Sequence, residues 1–117
     1  MNFKLHGSNS TEQMDINRKV GMLGEKIAKD DYRKNGYDTL DTRPGSFFDF
    51  VAMRFLSNWK LDIVFVEVKV GNSQLSRRQT RFSRWCRRSG QRFDIYRITM
   101  KHLNYLIENK IGGADLA

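Results

Sequence analysis

The ten residues Leu61–Val70, LDIVFVEVKV, constrain the fold of this chain more than any other stretch. Val64, Val66, Val68 and Val70 alternate with Phe65, Glu67 and Lys69, the period of a β-strand with two unlike faces. Upstream, Phe47–Phe55 is rich in aromatic and β-forming residues and reads as a partner strand. Leu56-Ser57-Asn58-Trp59-Lys60 between them reads as a hairpin loop. A loop centred on Asn58 sets Asp49 opposite Glu67, and opposed side chains on one face of an antiparallel pair lie within about 5.5 Å at Cβ. Lys69, two residues beyond Glu67, shares that face. Two carboxylates and an ammonium therefore converge, and a slip of one residue in register would undo this.

The rest of the chain supplies an α/β frame. Glu12–Asn35 carries an apolar stripe of Ile16, Val20, Leu23 and Ile27 at helical spacing and ends at Asn35-Gly36. Tyr37–Thr42 reads as a short strand and Arg43-Pro44-Gly45-Ser46 as a turn. Gly71-Asn72-Ser73 breaks the long strand. A second helix is expected over Ser76–Ser89, a strand over Phe93–Ile98, and a last helix capped by Thr99 that closes at Gly112-Gly113. The order is α-β-β-β-α-β-α, a mixed sheet flanked by helices. A length of 117 residues suits one domain, residues 1–117, with 1–11 as an arm and 99–117 as the C-terminal helix.

Charge points to the partner. The net charge is +8 and the pI about 9.9, which favours a polyanion. Residues 71–93 contain no Asp or Glu but seven arginines. Arg77, Arg81, Arg84 and Arg88 form one continuous helical stripe, with Arg78 beside it. Like charges at that spacing oppose the helix, so a phosphate backbone is the expected counter-charge. Arginine suits it, because its fork binds two oxygens at once. The opposite face carries Leu75, Gln79, Phe82 and Cys86, and an inward Gln79 needs a hydrogen-bond partner.

Other classes are set aside. A single cysteine, Cys86, allows no internal disulfide and no Cys-rich metal site. No apolar run reaches the length of about 18 residues that spans a bilayer, and the N-terminus MNFKLHGSNSTEQ lacks the apolar core of a signal peptide. A cytoplasmic protein without a membrane partner is the expectation. No phosphate-cradling glycine loop precedes a helix, which argues against nucleotide hydrolysis. His6 and His102 are read as surface residues and Asp62 as a strand-end surface acid, while Trp59 and Trp85 are read as packing residues first, with stacking on bases as the alternative. Glu25 lies off the first helix's apolar stripe, beside the small residues Gly21 and Ala28, where another element could approach closely.

Gly21-Met22-Leu23-Gly24-Glu25 on a helix, then Phe48-Asp49, then Glu67-Val68-Lys69, then a helix with Gln79 resembles the PD-(D/E)XK nuclease superfamily. The order and spacing are most similar to its small archaeal Holliday junction resolvase-like branch. The stretch from Gln79 through Gly90 to Phe93–Ile98 also resembles the VRR-NUC branch. The resemblance covers Val20 to Ile98 and departs from the motif at Phe48, which stands where the proline would be. It implies a restriction-endonuclease-like core and a Mg²⁺-dependent DNA endonuclease, with Mn²⁺ as a substitute. Asp49 and Glu67 would be the principal metal ligands, the Val68 carbonyl an additional one, and Glu25 would complete the site from the helix. Lys69 would act on the attacking water, and Gln79 matches a helix glutamine near the active site. The resemblance further implies a homodimer acting on branched DNA. A competing expectation is a non-catalytic nucleic-acid-binding module of the double-stranded-RNA-binding kind, which shares the α-β-β-β-α order and needs no facing acids.

Overall fold

The structure, a computed structural model, describes residues 10–111. The expected closure at Gly112-Gly113, His6 and most of the N-terminal arm lie outside the described residues. Ser10 and Thr11, expected in the arm, already belong to the first helix. The elements are α1 (Ser10–Lys34), β1 (Asp38–Asp41), β2 (Phe50–Phe55), β3 (Leu61–Val70), α2 (Arg77–Ser89), β4 (Arg92–Ile98) and α3 (Met100–Leu106), which runs on into a π-turn over Ile107–Ile111. The sheet order is β1-β2-β3-β4, with β1, β2 and β3 antiparallel and β4 parallel to β3. This is the mixed α/β sheet expected. Among the described residues, no helix is long and apolar enough to cross a membrane.

The β2–β3 register is the one the Asn58 loop requires: Phe50 faces Val66 and Phe55 faces Leu61. The loop closes through Leu56 N–H to Lys60 O at 2.8 Å and Trp59 N–H to Leu56 O at 2.9 Å, with Trp59 in the left-handed region at φ 65°.

β2 begins three residues later than expected. Thr42 Oγ1 donates to the carbonyls of Phe48 and Asp49, each at 2.9 Å, and draws them out of the ladder. The Phe47 and Phe48 rings stack against Phe82 of α2, at 5.4 and 5.3 Å between centroids. Side-chain packing thus overrides strand propensity at Phe47–Asp49.

The two faces of the sheet are covered differently. Valines 64, 66, 68 and 70 face α1 and α3, where Leu23, Ala28, Phe50, Ala52, Ile98 and Leu103 are buried. α1 lies close against β3 at Gly24, where a Cβ would lie 2.9 Å from Val70 Cγ2. Gly21, by contrast, has nothing within 4 Å, so the close approach falls at Gly24 and Ala28. Phe65, Glu67 and Lys69 face the other way, under α2. There Phe82 touches the rings of Phe47, Phe48, Phe65, Trp85 and Phe93.

Asp62 is not the surface acid expected. Its side chain is 9% exposed and gathers Tyr37 Oη at 2.7 Å, Arg92 Nη1 at 2.7 Å and Arg54 Nε at 3.3 Å. Face parity placed Asp62 correctly but said nothing of the groups that three other segments bring to it. Burial pushes its carboxyl up, yet Tyr37, Arg92 and Arg54 together outweigh this and hold it below the usual carboxylate range.

Candidate active site

The site lies where β2 bends away from β3. Had the ladder continued, the Phe48 carbonyl would accept the Val68 N–H. Thr42 has taken that carbonyl, and Asp49 supplies the replacement: its Oδ2 accepts the Val68 N–H at 2.7 Å. The Asp49 N–H meanwhile donates to Val66 O at 2.8 Å. Asp49 is thereby clamped at both backbone and side chain to the strand that carries Glu67. A residue's N–H and C=O share one edge of a strand, so the Val68 carbonyl is directed to the same edge as Asp49.

Glu67 is the one charged residue among the described residues that is buried, at 4% exposure. Gln79 Nε2 donates to its Oε2 at 2.6 Å, and Lys69 Nζ stands 3.2 Å from the same oxygen. Burial first, and Asp49 beside it second, push the Glu67 carboxyl up to about 7, against the pull of Lys69.

Gln79 joins α2 to this pair. Ser76 caps the helix by accepting from Gln79 N–H at 3.1 Å, and the Gln79 side-chain oxygen accepts from Ser76 N–H at 3.0 Å. The capping box fixes the glutamine, so its amide is aimed at Glu67 before any ligand arrives. At the far end, α2 stops at Gly90 in the left-handed conformation, φ 74°.

The structure brings Asp49, Glu67, Val68, Lys69 and Gln79 together. It does not bring Glu25 to them. Glu25 Oε1 pairs with Lys29 Nζ at 3.0 Å, and Lys29 also bonds Asp41 on β1. Among the described residues, no three His, Cys, Asp or Glu side chains form a metal-holding group. The donor set at the site is therefore two carboxylates and a peptide carbonyl. Such hard oxygen donors suit Mg²⁺, which is commonly held by one or two carboxylates and completes its shell with water and substrate oxygens.

Arg77, Arg78, Arg81, Arg84 and Arg88 are all exposed, and none has an acidic partner among the described residues. Arg78 lies over the Phe47 ring at 4.8 Å. Two contributors are not legible in the sequence. Thr42 has no periodic signature, and Phe82 was placed on the inward face without the aromatic cluster that assembles around it.

A parallel β3–α2–β4 unit thus carries the site, with α1 and α2 on opposite faces of the sheet and the acids at the bend. Among solved structures the chain is similar to a VRR_NUC domain, at 26% identity and a TM-score of 0.51, over 79% of this chain and 97% of that one. The likeness supports a VRR-NUC-like nuclease fold of the PD-(D/E)XK kind. No protein-family model matches the sequence, and neither does any curated protein.

Proposed function

We propose that this chain is a Mg²⁺-dependent endonuclease that hydrolyses DNA phosphodiester bonds, with branched substrates of the resolvase type as its targets and Mn²⁺ as a working substitute. The observation that carries this reading is the buried Glu67 facing Asp49 while Gln79 and Lys69 hold it. Two acids side by side, one of them buried, repel each other and cost stability, which a cation between the carboxylates would offset.

Asp49, Glu67 and the Val68 carbonyl would hold the metal. When bound, Mg²⁺ would supply Lewis-acid charge at the scissile phosphate and make water a better nucleophile at neutral pH. Gln79 orients Glu67, and the clamp on Asp49 fixes its second oxygen. Lys69 places an ammonium beside the carboxylates, where it can orient the attacking water and steady developing negative charge. The exposed arginines of α2 receive the flanking phosphates. Glu25 would reach the site only by exchanging its Lys29 partner, so we assign it a supporting role at most. The binding-module alternative accounts neither for the parallel β4 nor for a buried Glu67 beside Asp49. A homodimer that places two such sites on one branched DNA is part of this proposal.

The test is a cleavage panel of branched, flapped and linear DNAs in Mg²⁺. Asp49→Ala and Glu67→Ala are each expected to lower cleavage by roughly a thousandfold while DNA binding persists. Unimpaired cleavage by both variants would overturn the proposal.

A further inference from the structure

Trp85 stands out on α2. It is 47% exposed, although it is one of the largest apolar side chains of the helix. Phe82 is its one ring contact among the described residues, at 5.8 Å and 19° between planes. Phe82 in turn lies nearly parallel to Phe47, at 5.4 Å and 14°. Trp85 and Phe47 thus each lie near-parallel to Phe82. This ring cluster reaches from Phe47, two residues from Asp49, to a half-exposed indole.

The surroundings of that indole carry one sign of charge. Arg81 lies one helical turn before Trp85 and Arg88 one turn after it, while Arg84 is its chain neighbour. All three are exposed and lack acidic partners among the described residues. An apolar docking partner would have to bury three guanidinium groups around a single ring. A nucleobase brings a flat apolar face together with its own phosphate, and stacking tolerates any base because every base has a π-face.

We infer that Trp85 is a nucleobase-stacking site, so the strand led along α2 to the Asp49–Glu67 pair carries unpaired bases there. A base inside an intact duplex has both faces covered by its neighbours and offers none to Trp85. The substrate class is therefore DNA with a single-stranded segment next to the cleavage point: a flap, a gap, or a branch with unpaired nucleotides. This inference rests on the proposed nuclease reading for the choice of DNA as ligand. Its test needs no cleavage, so the two can fail separately.

The experiment measures binding of the full chain to oligo-dT and to a blunt, fully paired duplex, with Ca²⁺ in place of Mg²⁺. Trp85→Leu keeps an apolar contact for Phe82 but removes the aromatic face, and Trp85→Phe restores a ring. Trp85→Leu is expected to weaken oligo-dT binding by roughly tenfold and duplex binding by less than about twofold, with Trp85→Phe recovering most of the loss. In a Trp59→Phe background, oligo-dT should also quench the fluorescence of Trp85. Wild-type affinity of Trp85→Leu for oligo-dT would overturn the inference. So would an equal loss on both ligands, or a failure of Trp85→Phe to recover binding, since either marks Trp85 as a packing residue.

Discussion

β3 carries two carboxylates that meet opposite fates. Asp62, on the α1 face, sits among Tyr37, Arg54 and Arg92, and every neighbour favours its charge. Glu67, five residues on and on the α2 face, sits beside a second acid and is buried without enough counter-charge. The same strand thus holds one acid arranged for stability and one arranged against it. The faces differ in the same way. Among the described residues that are buried, only Cys86 and Glu67 lie on the α2 side. The α1 side buries aliphatic and aromatic groups and pairs its polar ones, as in Tyr96 Oη to Asp31 at 2.7 Å. A carboxylate kept where packing and electrostatics both disfavour it is the mark of a working site.

Substitutions should separate the faces. The largest effect on stability is expected from Phe50→Ala, which empties the centre of the α1-side core beside Tyr32. The loss should be about 3–5 kcal/mol in urea unfolding. Asp62→Ala comes next. It strands two arginines and a tyrosine and should cost about 2–3 kcal/mol near neutral pH. The Asp62 carboxyl is held below its ordinary value, so its contribution is full above the unfolded pKa. The wild-type advantage over Asp62→Ala should therefore shrink as pH falls through the folded pKa. On the α2 face, Arg81→Ala with Arg84→Ala should leave urea stability within about 0.5 kcal/mol. The same pair should lower DNA affinity and flatten its salt dependence, by about one unit of slope for each phosphate the protein no longer neutralises. A stability loss in the arginine pair equal to that of Asp62→Ala would erase the distinction between the faces.

The sequence carried much of this arrangement, in places that can be named. The bounds of β3 were legible because its alternation is strict and a glycine follows it. The β2–β3 register was legible because a short hairpin loop leaves little freedom of register. The end of α2 at Gly90 announces itself by residue type. What escaped depends on contacts distant in sequence. The start of β2 is set by a hydroxyl on Thr42, and the environment of Asp62 is assembled from α1–β1, β2 and β4. The partners of Glu25 include Lys29 one turn on and, through it, Asp41 across on β1. Helical spacing shows that Glu25 is off the core stripe, but not which cation claims it.

The most direct test of the central claim, that Glu67 is kept for chemistry at the expense of stability, is Glu67→Gln measured in two ways. A glutamine keeps an acceptor for Gln79 and gains an N–H for Asp49. Because the Glu67 carboxyl is raised from 4.5 to about 7, its favourable contribution is full below pH 4.5 and is lost as pH rises through 7. In EDTA at pH 8 the variant should therefore be more stable than the wild type, by up to about 3 kcal/mol, with the gap closing toward pH 4.5. In Mg²⁺ the same variant should fail to cleave any DNA of the panel. A Glu67→Gln protein that melts earlier than the wild type at pH 8 and still cuts would contradict the account.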